Sequence, residues 1–178
     1  MQVNRCKLSP FSFLLVLLFL LVSSNASTLD ETCKSIGASK MNISYDYCIK
    51  FFEANKASTT AGKHGLVVIA TKITRAEATN TRKRIIDLKA SLKDRKVKER
   101  LSVCRMQYTF AEKWLLAAAK GIKSGHLQDA KRNLNAVIMG TDTCEEWFRE
   151  LGMASPLAAE DDAFTKGCSI ALAITNML

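Results

Sequence analysis

The sequence predicts an all-α protein, an up-down-up-down four-helix bundle that follows a disulfide-pinned helical hairpin. Its clearest feature is a run with alternating spacings of four and three residues, which indicates a helix with one buried seam: Val97, Leu101, Cys104, Tyr108, Ala111, Leu115, Ala118 and Ile122. After a break at residues 123–125 a second seam follows: Leu127, Ala130, Leu134, Val137, Thr141, Cys144 and Phe148. Two such helices joined by so short a turn must fold back antiparallel.

Two cysteines occupy matching heights on these seams. Cys104 lies 20 residues before Ser124, and Cys144 lies 20 residues after it. At about 1.5 Å per residue, each cysteine is therefore roughly 30 Å from the turn. The hairpin geometry predicts a Cys104–Cys144 disulfide.

The first 26 residues have the features of a secretory signal peptide. Arg5 and Lys7 precede residues 11–22, in which Ser12 is the one side chain that is not strongly apolar. Small residues follow at 24–26, which predicts cleavage after Ala26. A membrane span needs about 20 apolar residues, and no stretch of the sequence reaches that length, so we expect no membrane attachment.

Residues 27–178 remain as one domain of 152 residues, with a hairpin over 27–61 and the bundle over 62–178. The signal segment holds two of the 26 lysines and arginines and none of the 17 acidic residues, so the mature net charge is +7. Five cysteines remain, and secretion favours disulfides. The sequence alone allows several pairings; proximity selects Cys33–Cys48, which leaves Cys168 as a free thiol.

The elements can be placed in order along the chain. In the hairpin, Ser44 is a suitable N-cap for a short helix, whose aromatic side chains need cover from the bundle or from another molecule. Asn42 begins a glycosylation sequon in a loop-like region. Asp94 is a suitable cap for the first seamed helix.

The first and last bundle helices have less regular patterns. The first follows Leu66, Ile69, Ile73 and Ala76, shifts phase near Asn80, and resumes at Ile85, Leu88 and Leu92. It is either one helix with a stutter or two helices nearly in line. In the last helix Ser155 is the expected N-cap and Pro156 the first helical residue, and the seam is Ala163, Gly167, Ile170, Ile174 and Met177.

The sequence contains no recognisable catalytic, cofactor-binding or metal-binding constellation, so we do not expect an enzyme. The two histidines, His64 and His126, are not in a metal-ligand spacing. The acidic pairs Glu145-Glu146 and Asp161-Asp162 are sequence neighbours on helices, so their side chains diverge, and we expect them to be solvated.

A basic run lies between Arg82 and Arg105, a stretch that contains ten lysines and arginines and three acidic residues. It is either a solvated end of the bundle or a surface that attracts a polyanion or an acidic protein. In a plant cell wall that polyanion would be pectate. Secretion and the lack of interleaved aromatic residues argue against nucleic acid.

The chain resembles the plant invertase and pectin methylesterase inhibitor family, and within it the branch of pollen proteins that carries an invertase-inhibitor label. The resemblance covers essentially the whole mature chain. It rests on these motifs: Thr32-Cys33, Tyr45-Asp46-Tyr47-Cys48, Cys104 with Tyr108 and Ala111, Thr141-Asp142-Thr143-Cys144-Glu145-Glu146 with Phe148, Ser155-Pro156-Leu157, and Leu172-Ala173-Ile174.

The resemblance implies a secreted four-helix bundle with two consecutive disulfides, which match Cys33–Cys48 and Cys104–Cys144. It implies a protein that performs no chemistry and instead covers the active-site cleft of pectin methylesterase or acid invertase. Invertase inhibitors carry a Pro-Lys-Phe tripeptide at the tip between the second and third bundle helices. Here that stretch holds His126, Gln128 and Asp129, the candidate interface residues, so pectin methylesterase is the favoured target. The alternative is a non-inhibitory cell-wall protein that binds pectate, or a pollen-type extracellular protein with the inhibitor fold. In every case we expect the protein in the apoplast rather than in the vacuole.

Overall fold

The computed structural model describes residues 28–178, so the signal segment predicted over residues 1–26 lies outside the described part of the chain. Every regular element within residues 28–178 is helical, which confirms the predicted all-α fold. The elements are α1 (28–37), α2 (Tyr45–Glu53), a 3₁₀ helix (Lys56–Thr60), α3 (Lys63–Ser91), α4 (Arg95–Lys123), α5 (Leu127–Arg149) and α6 (Ala158–Asn176). No helix in this range is long and apolar enough to cross a membrane.

Helices α3 to α6 form the four-helix bundle. Helix α4 packs between α3 and α5, and α6 closes the bundle by packing against both α5 and α3. The connections between consecutive helices are short, so each helix runs antiparallel to the next. The up-down-up-down arrangement predicted from the sequence is therefore confirmed.

The seams of α4 and α5 form the centre of the core. All eight predicted seam residues of α4 are buried, and so are six of the seven in α5, while Leu127 in the first turn is half-buried. The carboxylate of Asp94 caps α4 by accepting hydrogen bonds from the N–H groups of Lys96 (2.8 Å) and Val97 (3.3 Å). The start of α4 is therefore set by the Asp94 cap, and its buried face is set by the spacing of the seam residues.

Helix α3 is one continuous helix of 29 residues through Asn80. Of the two predicted alternatives, one long helix is therefore confirmed and two helices nearly in line are wrong. Its buried face consists of Leu66, Val67, Ala70, Thr71, Thr74, Ala78, Thr81 and Ile85, whereas Ile69 and Ile73 are half-buried and Ala76 is exposed. A pattern of apolar residues missed this face because three of its members are threonines.

Two of these threonines satisfy their hydroxyl groups within their own helix. Thr74 Oγ1 donates to the carbonyl of Ala70 (2.9 Å), and Thr71 Oγ1 donates to that of Val68 (2.9 Å). A hydroxyl group that is hydrogen-bonded to the preceding turn can be buried without the penalty of an unpaired donor. The methyl groups are then free to pack in the core.

Helix α6 begins two residues later than predicted. Ser155 and Pro156 lie in the turn before the helix, and Ser155 Oγ accepts a hydrogen bond from the N–H of Leu157 (3.1 Å). Further along, a Cβ atom at Gly167 would lie 2.6 Å from Thr74 Oγ1. Glycine therefore permits the close approach of α6 to α3.

The N-terminal hairpin packs onto the bundle. The Cys33–Cys48 disulfide joins α1 to α2, with a Cα–Cα distance of 5.5 Å. Ser44 Oγ accepts a hydrogen bond from the N–H of Tyr47 (3.1 Å), which confirms the predicted cap. Phe51 lies against Gly167 of α6, and both Phe51 and Phe52 are buried. The bundle, rather than another molecule, therefore covers these two aromatic side chains.

A second disulfide, Cys104–Cys144, joins α4 to α5 at the height expected from the sequence, with a Cα–Cα distance of 5.1 Å. Cys168 is a buried free cysteine in α6. Burial raises the pKa of the Cys168 thiol, so this thiol is a packing group rather than a reactive one.

We expect the double variant Cys104→Ala/Cys144→Ala to lose about 4 kcal/mol of unfolding free energy, because the bridge closes a loop of 40 residues. Urea denaturation of the oxidised wild type and the variant measures the difference. Non-reducing peptide mapping of the wild type, as a control, must recover Cys104 linked to Cys144. A loss below about 1 kcal/mol would show that seam packing alone holds the pair.

Candidate functional site

The described residues offer surfaces rather than a reaction centre. Within residues 28–178 no group of three or more His, Cys, Asp or Glu side chains is placed to hold a metal ion. His64 and His126 are both exposed and lie towards the same end of the bundle, because α3 begins where α4 ends. The surfaces that a partner could contact are the tip between α4 and α5, the exposed helix faces and the turn between α3 and α4.

The tip between α4 and α5 is a tight, well-capped turn. Gly125 has a φ of 77°, which favours glycine. The N–H of Ser124 donates to the carbonyl of Lys120 (3.0 Å), and that of His126 donates to the carbonyl of Gly121 (2.8 Å). His126 Nδ1 lies 2.8 Å from Ser124 Oγ. These contacts fix the direction of the His126 side chain.

The candidate interface residues His126, Gln128 and Asp129 are all exposed on this tip. Asp129 forms an ion pair with Arg132 within α5. The exposed side chains of the tip are therefore polar, and its apolar residue Leu127 is half-buried, whereas interface anchors are mostly large exposed apolar or aromatic side chains.

An apolar row runs along α4 beside the buried seam. From the sequence, Trp114 could be either a core-edge residue or an interface anchor, but the row as a whole was not predicted. It consists of Met106, Phe110 and Trp114 at four-residue spacing, and we call it the α4 row. Met106 is 48% exposed and Phe110 is 41% exposed. Phe110 stacks on the half-buried Trp114, with 5.9 Å between ring centroids and 24° between ring planes. The four-residue spacing outside the seam was the signal that could have revealed this row.

Helix α5 supports the α4 row and extends it. The side-chain oxygen of Gln107 lies 3.2 Å from the position of a Cβ on Gly140, so the two helices meet closely at this height. The neighbour of Gly140, Met139, is 69% exposed. The row therefore stands on the disulfide-linked helix pair, with a second exposed methionine at the height of Met106.

The basic run does not form one uniform patch. Four of its arginines are held in ion pairs with acidic residues, namely Arg82–Glu112, Arg84–Glu160, Arg95–Glu99 and Arg100–Glu150. Among residues 28–178, no carboxylate pairs with the six remaining cations of the run, Lys83, Lys89, Lys93, Lys96, Lys98 and Arg105. Of these, Lys89 donates a hydrogen bond to the hydroxyl oxygen of Ser102. Lys93 lies in the turn between α3 and α4, and Lys96 lies in the first turn of α4. We call the surface formed by these two lysines the basic end.

Two acidic residues expected to be solvated lie inside the bundle, so that expectation is wrong for them. Asp161 is 3% exposed, and the Tyr108 hydroxyl donates a hydrogen bond to its Oδ1. Glu145 is half-buried, and its Oε1 is buried. Burial raises the pKa of Asp161 to about 8. Asp161 and Glu145 face one another between helices. Their neighbours Asp162 and Glu146 are exposed, so the predicted divergence within each acidic pair is confirmed.

Comparison with known proteins places the chain in a family. The family model described as plant invertase/pectin methylesterase inhibitor matches residues 27–174. A protein named "Putative invertase inhibitor" from Platanus orientalis is 30% identical over 168 residues, which cover 94% of this chain and 97% of that protein. "Pectinesterase inhibitor 12" from Arabidopsis thaliana is 35% identical over 127 residues, 70% of each chain.

The fold is also similar to a solved structure. The crystal structure of mutant form A of a pectin methylesterase inhibitor from Arabidopsis superposes with a TM-score of 0.70 and 26% sequence identity, and the match covers 82% of this chain and 96% of that one. This similarity extends over the helical bundle described above. The chain therefore belongs to the plant invertase/pectin methylesterase inhibitor family.

Proposed function

We propose that the protein is a secreted inhibitor that binds pectin methylesterase or acid invertase and covers the active-site cleft of the enzyme. The family match over residues 27–174 carries this proposal. Relatives that match most of the chain are named as inhibitors of one or the other enzyme. Family members inhibit enzymes and are not enzymes themselves, and the surface offers a rigid face for such a contact.

The α4 row is the surface that we assign to the enzyme contact. A stable interface buries about 800 Å² on each partner and is anchored by a few aromatic or large apolar side chains. The stacked pair of Phe110 and Trp114 supplies such an anchor, with Met106 beside it. Because α4 is clamped to α5 by the Cys104–Cys144 disulfide, this face needs little ordering on binding.

We favour pectin methylesterase as the target. The tip residues His126, Gln128 and Asp129 are polar and lack the Pro-Lys-Phe tripeptide that the family resemblance assigns to invertase inhibitors. A helix face, by contrast, is available in the α4 row. The named relatives include both kinds of inhibitor, so the choice depends on these two surfaces.

A second proposed interaction is with anionic pectin. The unpaired Lys93 and Lys96 at the basic end are exposed, and the expected mature chain carries a net charge of +7. Clustered cations raise the local concentration of a polyanion, and salt screens that attraction. Such binding would hold the inhibitor in the wall near its target, or would by itself be the function of a non-inhibitory wall protein.

We also propose that the protein acts in the apoplast and carries a glycan at Asn42. Residues 1–26 are the proposed signal peptide, and two disulfides fit an oxidising compartment. Asn42 is exposed in the loop between α1 and α2, with a φ of 51°. An exposed loop position is accessible to glycosylation.

We expect the purified protein to inhibit plant pectin methylesterase at micromolar concentration or below, and acid invertase weakly. The variant Phe110→Asp should raise the half-inhibitory concentration roughly 10- to 100-fold, because it removes an aromatic anchor and buries a charge. Methanol release and glucose release measure the two activities.

The matched control for this experiment is Ile86→Asp, which places the same charge on an exposed apolar residue of α3 (47% exposed). It should leave inhibition unchanged, and circular dichroism should show that both variants are folded. If the wild-type protein inhibited neither pectin methylesterase nor acid invertase, the proposed function would be contradicted. Inhibition that survives Phe110→Asp would instead contradict the assignment of the α4 row.

On a pectate column, we expect the variant Lys93→Glu/Lys96→Glu to elute at roughly half the salt concentration of the wild type, because it reverses the local charge of the basic end. The control Lys72→Glu/Lys113→Glu makes the same change in net charge at exposed positions on the helix faces. Equal elution of the two variants would assign retention to net charge rather than to the basic end.

For the protein secreted by plant cells, we expect an N-terminus at Ser27 and a mass that falls after enzymatic removal of N-glycans. Asn42→Gln should have the mass of its own polypeptide without enzyme treatment, because the substitution removes the sequon. Intact-mass spectrometry and N-terminal sequencing measure both features. A wild-type mass that equals the polypeptide mass would refute the glycan, and an N-terminus at Met1 would refute the cleavage.

A further inference from the structure

The junction of α4, α5 and α6 contains two carboxyl groups with unsatisfied oxygens. Tyr108 of α4 donates its hydroxyl hydrogen to Asp161 Oδ1 in α6. The second oxygen, Asp161 Oδ2, is buried and has no hydrogen-bond partner among the described residues, and the same is true of Glu145 Oε1 in α5. Buried polar atoms in folded proteins nearly always have a partner, so these two oxygens need an explanation.

A shared proton supplies that explanation. The two carboxyl groups are close enough to hydrogen-bond to each other. Two ionised carboxylates cannot be held together away from water, whereas one protonated carboxyl group donates to the other and satisfies both oxygens. The pKa of Asp161 fits this view: burial is the largest cause that raises it to about 8, and Glu145 and Glu160 act in the same direction, while the hydrogen bond from Tyr108 opposes them.

The surrounding charges do not offer an alternative partner. On α3, Arg84 pairs with Glu160 (2.7 Å), and on α6, Lys166 pairs with Asp162 (2.7 Å). Both cations are therefore already paired with other carboxylates. The other titratable groups that face this region are acidic or neutral: Glu77 of α3, Asp142 of α5, Cys168 of α6 and Tyr108 itself.

A cleft of about 250 Å³ opens beside the pair. Glu145 and Asp161 both line it, together with Thr141, Asp142, Ala158, Asp162 and Thr165. The unpartnered oxygens Asp161 Oδ2 and Glu145 Oε1 are themselves buried, but the cleft brings solvent to the edge of the pair. This access allows a proton to leave or return while the bundle stays folded.

We propose that Asp161 and Glu145 share one proton that fastens α6 to α5, and that loss of this proton at and above neutral pH weakens the junction. The protein is then most stable in an acidic surrounding. This device belongs to the fold and does not rest on the identity of the target enzyme.

The direction of the pH dependence follows from linkage. The pKa of Asp161 is raised in the folded state above its ordinary value of 3.8, so between about pH 4 and pH 8 the folded state holds a proton that the unfolded chain has released. Stability is therefore full at the acidic end of this window and falls as the pH rises towards 8. Glu77, whose pKa is raised to about 7 by burial, adds to the same slope.

We expect the melting temperature of the wild type to fall by roughly 5–10 °C between pH 5 and pH 8. Asp161→Asn should flatten this slope and melt above the wild type at pH 8. Its amide oxygen can accept from Tyr108, and its NH₂ group can donate to the Glu145 carboxylate at every pH. The same comparison is repeated with Glu77→Gln introduced into both the wild type and the Asp161→Asn variant. This substitution removes the contribution of Glu77 to the pH dependence of the melting temperature.

Asp162→Asn is the matched control, because Asp162 is the next residue, is exposed and pairs with Lys166 at the surface. It should keep the pH slope of the wild type. An Asp161→Asn protein with the wild-type slope, or one that melts below the wild type at pH 8, would overturn the proposal. If that variant does not fold, the pH titration of carboxyl ¹³C signals in the wild type tests the proposal instead. One aspartate should titrate above about pH 6.5. The proposal would be overturned if no aspartate titrated above about pH 5.5.

Discussion

The structure depends on the antiparallel pairing of α4 and α5. Their seams supply most of the central core, and the Cys104–Cys144 disulfide joins them about 30 Å from the connecting turn. Near that end, the Arg100 guanidinium lies 4.4 Å from the centre of the Trp147 ring. The pair is therefore held at the Gly125 turn, along the seams and at the disulfide, and the remaining helices pack against a rigid platform.

The α3–α6 half of the bundle is built on a different principle. Small and hydroxyl-bearing side chains allow the helices to approach, and Gly167 fits where any side chain would collide with Thr74. The hairpin then fills the remaining space with Phe51 and Phe52. This half relies on close backbone approach, whereas the α4–α5 half relies on large seam residues and a covalent link.

The two halves also explain where function can lie in a protein without a reaction centre. The α4 row points away from the core, because the seam residues of α4 and α5 fill the side of each helix that is buried in the core. In the basic run, four arginines are held in ion pairs, whereas Lys93 and Lys96 at the basic end have no carboxylate partner. The interior keeps the acidic junction around Asp161. Recognition, retention and pH response are thus proposed for three separate parts of one fold.

The helical class, the antiparallel α4–α5 pair, the heights of Cys104 and Cys144, and the caps at Ser44 and Asp94 could all be predicted from the amino-acid sequence. These features follow from local spacing and from hydrogen bonds within a few residues, so a single chain segment contains the information. The sequence also identified the polar tip, and its resemblance pointed to the family.

The buried face of α3, the start of α6, the α4 row and the burial of Asp161 could not be predicted from local sequence patterns. Each depends on a partner far away in the chain. Thr74 is buried because α6 offers a glycine opposite it, and Asp161 turns inward because Tyr108 and Glu145 come from other helices. Periodicity ranks residues by their own polarity, whereas burial depends on whether a distant group satisfies that polarity.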